Sequence, residues 1–436
     1  MKLSQFTIFV PLGKKYLVFN TFNQATAVIG EKSRNILNNL PENPDKEEQK
    51  YIDKFTELGF IVDESADEAG ELKDWYDKAR RDTSILRATV LTTYDCNFAC
   101  EYCVEEGVKT SIRMDDECSQ AVVDWFVERA ELNNTEKIVL LFYGGEPLMN
   151  PRPIEYIASR LHEYCDQNRL SFIFTITTNG SLLKPELMER LTPLGLKSVK
   201  VTLDGDKEAH DKKRPYKNGK GSFDRIVKNL IQVSDEVGIK IGVNIDKENL
   251  ESVPRMLDYL DEIGLKEKIE QINFSPIVNI ENQYGELKPT KQADCVSASE
   301  DWAKEDLVKL KWEALNRGFN VDTNANYTVC SMNRDGTVLV IDPVGRMYTC
   351  PAFVGREGFE VGDVYSQELS QRHEDLIGIE VPEECFKCAY MPYCDGGCKH
   401  AAYVKYGDMS KLICEMDFIE RSISETLKMK LLSRIK

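Results

Sequence analysis

The stretch LRATVLTTYDCNFACEYC, residues 86–103, joins a strand-like run to three closely spaced cysteines. Its first eight residues are mostly apolar or β-branched, which is typical of a buried strand. Cys96, Cys100 and Cys103 follow with the spacing C-x3-C-x2-C. The sequence therefore predicts a thiolate-rich loop directly after a buried strand.

Five more strand-like segments follow, and the intervals between them are long enough for amphipathic helices. They cover residues 138–143, 172–178, 199–204, 240–245 and 271–276. Near-continuous apolar strands that alternate with helices indicate a parallel sheet buried on both faces. Six strand–helix repeats are too few for a closed barrel of eight strands. We therefore expect an α/β fold with an open (β/α)6 barrel of TIM type.

Length and charge exclude several classes of protein. The chain has 436 residues, which is enough for two or three domains, and a net charge of −17. Such an acidic chain is not expected to bind nucleic acid through a basic surface. Its apolar runs are too short for a membrane span, and its first residues do not have the pattern of a signal peptide. We expect a cytoplasmic protein with no nucleic-acid or membrane partner.

The cysteine content indicates metal ligation. The chain has thirteen cysteines but only four histidines, and most of the cysteines are clustered. Disulfides are a poor explanation in a cytoplasmic protein, because the cytosol keeps thiols reduced. Thiolates suit zinc or iron–sulfur clusters, and three of them leave one iron of a four-iron cluster open. A zinc loop would need a fourth nearby ligand, whereas the next cysteine, Cys118, lies in a predicted helix.

The segment CNFACEYC, residues 96–103, resembles the cysteine signature of radical S-adenosylmethionine (SAM) enzymes. The resemblance implies that Cys96, Cys100 and Cys103 hold a [4Fe–4S] cluster whose open iron chelates SAM. It also implies that one electron cleaves SAM to methionine and a 5′-deoxyadenosyl radical, which takes a hydrogen atom from the substrate. A radical SAM core over residues 86–310 is therefore expected.

Polar motifs follow the predicted strands at their carboxyl ends, where parallel α/β folds bind ligands. GGEP, residues 144–147, resembles the family motif that contacts the amino group of SAM, and TLDGDKEAHDKKR, residues 202–214, resembles a stretch of the peptide- and protein-modifying branch. Outside the resemblance, these motifs are strand-ending turns and Arg214 is a solvated charge. No catalytic side chain is assigned. The SAM contacts that we predict are Gly144, Gly145, Glu146, Asn179, Thr202 and Arg214.

A second group of cysteines lies near the carboxyl end, with the spacing C-x2-C-x5-C-x3-C followed by one more cysteine. With the upstream Gly345-x4-Cys350, this pattern over residues 320–425 resembles the SPASM domain, which carries two auxiliary four-iron clusters. A zinc-ribbon knuckle is the alternative. Three [4Fe–4S] clusters are therefore expected. The resemblance assigns Cys330, Cys350 and Cys398 to the first auxiliary cluster, and Cys385, Cys388, Cys394 and Cys414 to the second.

The first auxiliary cluster lacks a visible fourth thiolate. Many SPASM proteins have a further cysteine between the equivalents of Cys330 and Cys350, and this chain has none there. An open iron could bind a cysteine thiolate of the substrate and hold it beside the radical. A water, a carboxylate or the distant Cys295 could fill the position instead.

Residues 1–80 form a predicted small α+β domain. Strands over 16–20 and 25–29, helices over 31–40 and 46–58, and a strand within 59–65 are expected, followed by an acidic linker over 63–71. This order resembles the winged-helix-like, PqqD-like elements that bind the leader of a precursor peptide by adding it to a sheet edge. A plain structural cap on the barrel is the alternative.

These resemblances favour one function over its rivals. The first hypothesis is a crosslink in a ribosomally synthesised precursor peptide, a thioether between a cysteine thiol and a carbon of another residue. The alternatives are carbon–carbon crosslinking, a sulfatase-maturating enzyme that generates formylglycine, and a metal-binding scaffold. Sulfatase maturases carry an aspartate after the cysteine of Gly-x4-Cys, whereas Pro351 follows Cys350 here. A flavodoxin or ferredoxin is the expected electron donor.

Overall fold

The computed structural model of the protein describes residues 1–103, 110–281, 287–291, 301–323, 327 and 329–433. Cys295 lies outside the described residues. The alternative in which it fills the open position of the first auxiliary cluster therefore stays a prediction.

Residues 1–80, called the N-terminal unit below, fold into a three-stranded antiparallel sheet with three helices. The outer two strands flank β3, and β1 pairs with β5. Gly13 has φ +62, which suits the tight turn between β2 and β3. The elements are β1 (Lys2–Leu3), β2 (Thr7–Leu12), β3 (Lys15–Asn20), β4 (Thr26–Ile29), α1 (Glu31–Asn38), α2 (Lys46–Glu57), β5 (Ile61–Val62) and α3 (Glu68–Arg80).

The predicted acidic linker over 63–71 is wrong from Glu68 onward, because α3 begins there. Asp67 caps the helix by accepting a hydrogen bond from the Gly70 N–H at 3.0 Å. Glu68 is buried, and its carboxylate accepts bonds from the Ser4 hydroxyl and from the Gln5 N–H. These contacts bury Glu68 against the residues that follow β1. The second half of the acidic run therefore begins a helix.

The N-terminal unit packs on the rest of the molecule. One face of its sheet packs on α1 and α2 through Val18 and Ile29. The other face packs through Leu17 and Phe19 on a group of carboxyl-terminal side chains. That group includes Tyr390, Ile423 and Leu427.

The core is the predicted open α/β barrel. Six neighbouring strands, β6 to β11, all pair in parallel, and helices connect them on the outside. Each overlaps one of the six predicted strands, so the predicted core is confirmed. Its elements are β6 (Ile85–Leu91), α4 (Asp116–Asn133), β7 (Lys137–Tyr143), α5 (Pro151–Asn168), β8 (Ser171–Thr178), α6 (Pro185–Leu191), β9 (Leu196–Thr202), α7 (Lys207–Lys213), α8 (Phe223–Val233), β10 (Gly238–Ile245), α9 (Ser252–Glu262) and β11 (Ile269–Glu281).

The sheet extends beyond both ends of the six parallel strands. At one end β12 (Leu287–Lys291) pairs antiparallel with β11, and α10 (Asp301–Asn316) follows. At the other end β13 (Val338–Ile341) pairs in parallel with β6, and β14 (Arg346–Tyr348) and β15 (Gly362–Asp363) continue the sheet. β13 and β14 form a hairpin, and β13 covers the edge of β6, which would otherwise be exposed.

The remaining carboxyl-terminal region is built from three short helices, one long helix and loops. The helices are α11 (Gln371–Ile377), α12 (Met391–Cys394), α13 (Lys399–Tyr406) and α14 (Met416–Ser433). Helix α14 packs against α10 of the core and contributes Ile423 and Leu427 to the contact with the N-terminal unit. None of the helices in the described ranges has the length and apolar character of a membrane span.

Candidate active site

The loop with the first three cysteines lies against the glycine motif that follows β7. The Gly145 N–H donates to the Thr93 carbonyl at 3.0 Å, and the Glu146 N–H donates to the Asp95 carbonyl at 2.8 Å. A Cβ on Gly144, which has φ +126, would lie 2.4 Å from the Thr93 carbonyl oxygen, and one on Gly145 would lie 2.3 Å from that of Asp95. Only glycine permits this close approach, so the motif holds the cysteine loop in place.

The cysteines of this loop are largely shielded from water. Cys96 and Cys100 are buried and Cys103 is half-buried. Burial raises the pKa of the Cys96 thiol to about 12, partly opposed by a hydrogen bond from the Phe98 N–H.

Glu146 is a fully buried carboxylate at the end of β7. It accepts hydrogen bonds from the Leu148 N–H at 3.0 Å, the Thr178 hydroxyl at 2.7 Å and the Asn179 N–H at 2.7 Å. Burial raises the pKa of Glu146 despite these bonds, all of which come from neutral donors. A cationic group such as an ammonium would stabilise the ionised carboxylate.

Asn179 connects the end of β8 to the cysteine loop. Its side-chain NH₂ donates to the Asn97 side-chain oxygen at 2.8 Å and lies 3.9 Å from Cys96 Sγ. Its side-chain oxygen accepts from the N–H and the hydroxyl of Ser181. Among the described residues, this side chain therefore links the loop around Cys96 to Ser181.

Four buried side chains meet beside Cys103. The Tyr102 hydroxyl contacts the Asp204 carboxylate and accepts hydrogen bonds from Arg214 Nη1 at 2.5 Å and Asn244 Nδ2 at 3.0 Å. Arg214 Nη1 lies 3.7 Å from Asp204 Oδ2. Arg214 Nε is buried and has no hydrogen-bond partner within the described ranges. A donor of this kind would be satisfied by an anionic ligand such as a carboxylate.

Thr202 and the residues around Arg214 complete the strand-end group. Thr202 is buried at the last position of β9, opposite Gly242 of β10. Sequence reasoning assigned no role to His210, although it lies inside the quoted 202–214 stretch. His210 Nδ1 accepts the Asp204 N–H at 3.2 Å, and its Nε2 pairs with the Ser222 hydroxyl at 3.0 Å. That hydroxyl donates to the Arg214 carbonyl, so His210 fixes the segment that carries Arg214.

Lys213 is a second side chain that sequence reasoning missed. It is buried, and its Nζ bonds Asp246 at 2.6 Å and Glu101 at 3.2 Å. Glu101 lies between Cys100 and Tyr102, so this ion pair ties the cysteine loop to the end of β10. No sequence signal distinguished Lys213 from its neighbour Lys212.

Two sets of carboxyl-terminal cysteines act on one another electrostatically, one with Cys385, Cys388, Cys394 and Cys414 and one with Cys330 and Cys398. Burial raises the pKa values of Cys385 and Cys394 to about 11, and the charges of Cys388 and Cys414 add to the shift at both. Burial likewise raises the pKa of Cys330 to about 11, and Cys398 acts on it in the same way. Cys350 lies before a short turn over Pro351–Phe353. Among the described residues, no three His, Cys, Asp or Glu side chains are arranged to hold one metal ion.

Comparison with known proteins identifies the core. Residues 90–260 match the model of the Radical SAM superfamily. The chain contains a radical SAM domain. The chain is therefore an enzyme, and the superfamily match implies SAM and a [4Fe–4S] cluster as its cofactors. The side chains at the strand ends fit SAM, because the Glu146 carboxylate suits its ammonium and the free Arg214 N–H suits its carboxylate.

Three curated proteins have related sequences. Fe-coproporphyrin III synthase of Methanosarcina barkeri is 32% identical, over 43% of this chain and 42% of its own length, so less than half of it is matched. Mycofactocin maturase MftC of Mycolicibacterium smegmatis is 26% identical, over 71% of this chain and 77% of that protein. The serine-type anaerobic sulfatase-maturating enzyme of Bacteroides thetaiotaomicron is 27% identical, over 72% of this chain and 82% of that protein.

Two solved structures have the same fold. A structure of anSMEcpe with bound AdoMet has a TM-score of 0.58 and 18% identity, and the match covers 80% of this chain and 98% of that one. Streptococcus suis SuiB bound to S-adenosylmethionine has a TM-score of 0.55 and 16% identity, with 95% of this chain and 99% of that one covered. At these identities the likeness concerns the fold.

Proposed function

We propose that the chain matures a ribosomally synthesised precursor peptide by forming a thioether between a cysteine thiol and a carbon of another residue. The product has two hydrogens fewer than the precursor. The carbon-bound hydrogen leaves as an atom, the thiol proton goes to solvent, and one electron returns to the iron–sulfur system. When bound, SAM and its cluster supply the hydrogen-atom abstraction.

The proposal assigns a task to each part of the chain. Residues 1–80 are a PqqD-like domain for peptide recognition, 86–310 the radical SAM core and 320–425 the SPASM domain. Cys96, Cys100 and Cys103 hold the catalytic cluster, and Gly144, Gly145, Glu146, Asn179, Thr202 and Arg214 form the SAM site. Cys330, Cys350 and Cys398 hold the first auxiliary cluster, and Cys385, Cys388, Cys394 and Cys414 hold the second. A flavodoxin or ferredoxin supplies the electrons.

The peptides bound in two similar structures, and the extent of the match to one of them, support a peptide substrate. SuiB has been solved with its precursor peptide SuiA, and anSMEcpe with the peptide Kp18Cys. The SuiB match leaves only about 22 of the 436 residues uncovered, so it includes most of the N-terminal unit. A fold shared with SuiB across that unit favours peptide maturation over sulfatase maturation.

The free edge of β4 supports the proposal that residues 1–80 bind a leader peptide. β4 is the last strand of its sheet and pairs only with β3 in the described part of the chain. The Asn20 N–H donates to the Ala25 carbonyl, and hydrogen-bonded pairs alternate along antiparallel strands. The backbone groups of Thr26 and Val28 therefore point away from β3, ready to pair with an added strand. The opposite edge, β2, offers no N–H at Pro11.

Blocking this edge should weaken leader binding. Val28→Pro removes an outward N–H while leaving the pairing with β3 intact, because only the outward groups of β4 are affected. We expect the dissociation constant of a leader peptide, measured by fluorescence anisotropy, to rise about tenfold. Val28→Thr keeps the N–H and is the matched control. Equal affinities for the two variants would remove β4 as the docking edge.

The cysteine gap between Cys330 and Cys350 supports the thioether as the product. A cluster with only three protein thiolates leaves an iron for the substrate thiolate. The test is coexpression with a cysteine-containing precursor, followed by mass spectrometry before and after thiol alkylation. We expect a loss of two hydrogens and one alkylatable thiol fewer per crosslink.

The two rival chemistries give other products in the same experiment. A carbon–carbon crosslink also removes two hydrogens but leaves every cysteine open to alkylation. Formylglycine reacts with an aldehyde probe, which a thioether does not. The sulfatase-maturating relative keeps this second rival in the test. Against it stands Pro351, which begins a short turn immediately after Cys350, where the sulfatase maturases place an aspartate.

A further inference from the structure

The N-terminal unit contacts the loop that carries Cys385 and Cys388. Gln5 Nε2 donates to the Phe386 carbonyl at 3.1 Å, and the Thr21 hydroxyl donates to the Ala389 carbonyl at 2.5 Å. Each bond fixes a peptide group directly next to one of the two cysteines. The positions of Cys385 and Cys388 therefore depend on residues that lie more than 360 positions earlier in the chain.

Apolar side chains also pack between the N-terminal unit and the loop that carries Cys385 and Cys388. Phe6, Leu72 and Tyr76 of the N-terminal unit pack with Phe386 and Met391 in one buried cluster. Cys385 and Cys388 lie at the border of that cluster. The Tyr76 and Phe386 rings meet edge to face, with centroids 5.8 Å apart. This cluster, called the wall below, shields the side of Cys385 and Cys388 that faces the N-terminal unit.

Tyr76 also contacts the loop between Cys394 and Cys398, two cysteines that are proposed to bind different auxiliary clusters. Asp395 lies between Cys394 and Cys398, is buried, and accepts the Cys330 N–H at 2.5 Å. The Tyr76 hydroxyl interacts with the Asp395 carboxylate and accepts a hydrogen bond from Asn333 Nδ2 at 2.7 Å. The Asp395 carboxylate, which follows Cys394 in the chain, thus holds the backbone of Cys330 and also interacts with Tyr76 of α3.

We propose that the N-terminal unit has a second role beside peptide recognition: it is the wall that holds and shields both auxiliary clusters, with Tyr76 and Asp395 as positioning residues. The inference rests on the proposed cluster ligands in residues 330–414. Hydrogen bonding and solvent access govern the stability of iron–sulfur clusters, so a wall that fixes cysteine loops and excludes water slows loss of iron.

The test uses the full chain with Cys96, Cys100 and Cys103 replaced by alanine, so that only auxiliary iron remains. After anaerobic reconstitution, the loss of cluster absorbance is followed in excess iron chelator. Tyr76→Phe removes the hydroxyl that faces Asp395, and Thr21→Val removes the bond to Ala389. Tyr51→Phe, within α2 and away from the cysteine loops, is the matched control. We expect Tyr76→Phe to lose its clusters about tenfold faster and the control to match the parent.

The outcomes separate this inference from the function it rests on. If the parent binds iron but neither Tyr76→Phe nor Thr21→Val changes the rate of loss by more than twofold, the wall is refuted and the ligand assignment stands. If the parent binds no iron at all, the auxiliary clusters are refuted and the wall with them. A faster loss in Thr21→Val alone, with Tyr76→Phe unchanged, would overturn the role of Tyr76.

Discussion

Gly145→Ala should lower SAM cleavage at least a hundredfold and remove about four irons per chain, because the new methyl group has no space. The added Cβ would lie 2.3 Å from the Asp95 carbonyl oxygen and 2.8 Å from that of Tyr94. Both are backbone atoms of the loop that carries Cys96, so the whole loop would have to move. Iron analysis and the yield of 5′-deoxyadenosine measure the two effects.

Gly30→Ala is the control for this substitution. Gly30 lies before α1, and a Cβ there meets nothing within 4 Å. We expect iron content and SAM cleavage of Gly30→Ala to equal those of the unsubstituted chain. Normal iron content in Gly145→Ala would contradict the role given to the glycine motif.

Arg214→Met is expected to weaken SAM binding about a hundredfold and to lower the free energy of unfolding by about 3 kcal/mol. The guanidinium donates to the Tyr102 hydroxyl and faces the fully buried Asp204 carboxylate. Its removal leaves that carboxylate without its buried cation, which accounts for the loss of stability. Loss of the Nε donor accounts for the weaker binding. Equilibrium dialysis with SAM and urea unfolding measure the two quantities.

Arg190→Met provides the matched comparison. Arg190 pairs with Glu155 at 2.9 Å, but its side chain is 55% exposed. An exposed pair contributes at most about 1 kcal/mol, so Arg190→Met should unfold almost as the unsubstituted chain does. Its SAM affinity should be unchanged. If Arg214→Met bound SAM as tightly as Arg190→Met, Arg214 would have no place in the SAM site.

The parallel core could be predicted from the sequence because its signal is local. The strands from β6 to β10 have seven or eight residues with regularly placed apolar side chains, and the cysteine loop, GGEP and Asn179 follow the first three of them. The pairing of β13 with β6 could not be predicted. The paired residues lie about 250 positions apart in the chain, and no local pattern links Val338 to Arg87. The same holds for Tyr76 and Asp395, whose roles exist only after the chain has folded.

Charge patterns misled the sequence analysis where a tertiary contact decided the structure. The run 63–71 has the composition of a solvated linker, yet Glu68 is buried by its bonds to residues 4 and 5. Lys213 lies in a basic stretch of solvent-exposed character, yet it is buried, and its ammonium pairs with Asp246 and Glu101. Composition gives the number of charges but not their partners.

The measurement that tests the central claim most directly is the transfer of deuterium from peptide to SAM-derived product. The precursor is labelled with deuterium at the carbon that becomes crosslinked and is incubated anaerobically with the enzyme, SAM and reductant. We predict that 5′-deoxyadenosine acquires deuterium in step with the loss of two hydrogens and one free thiol from the peptide. Unlabelled 5′-deoxyadenosine beside an unchanged peptide thiol would contradict the account.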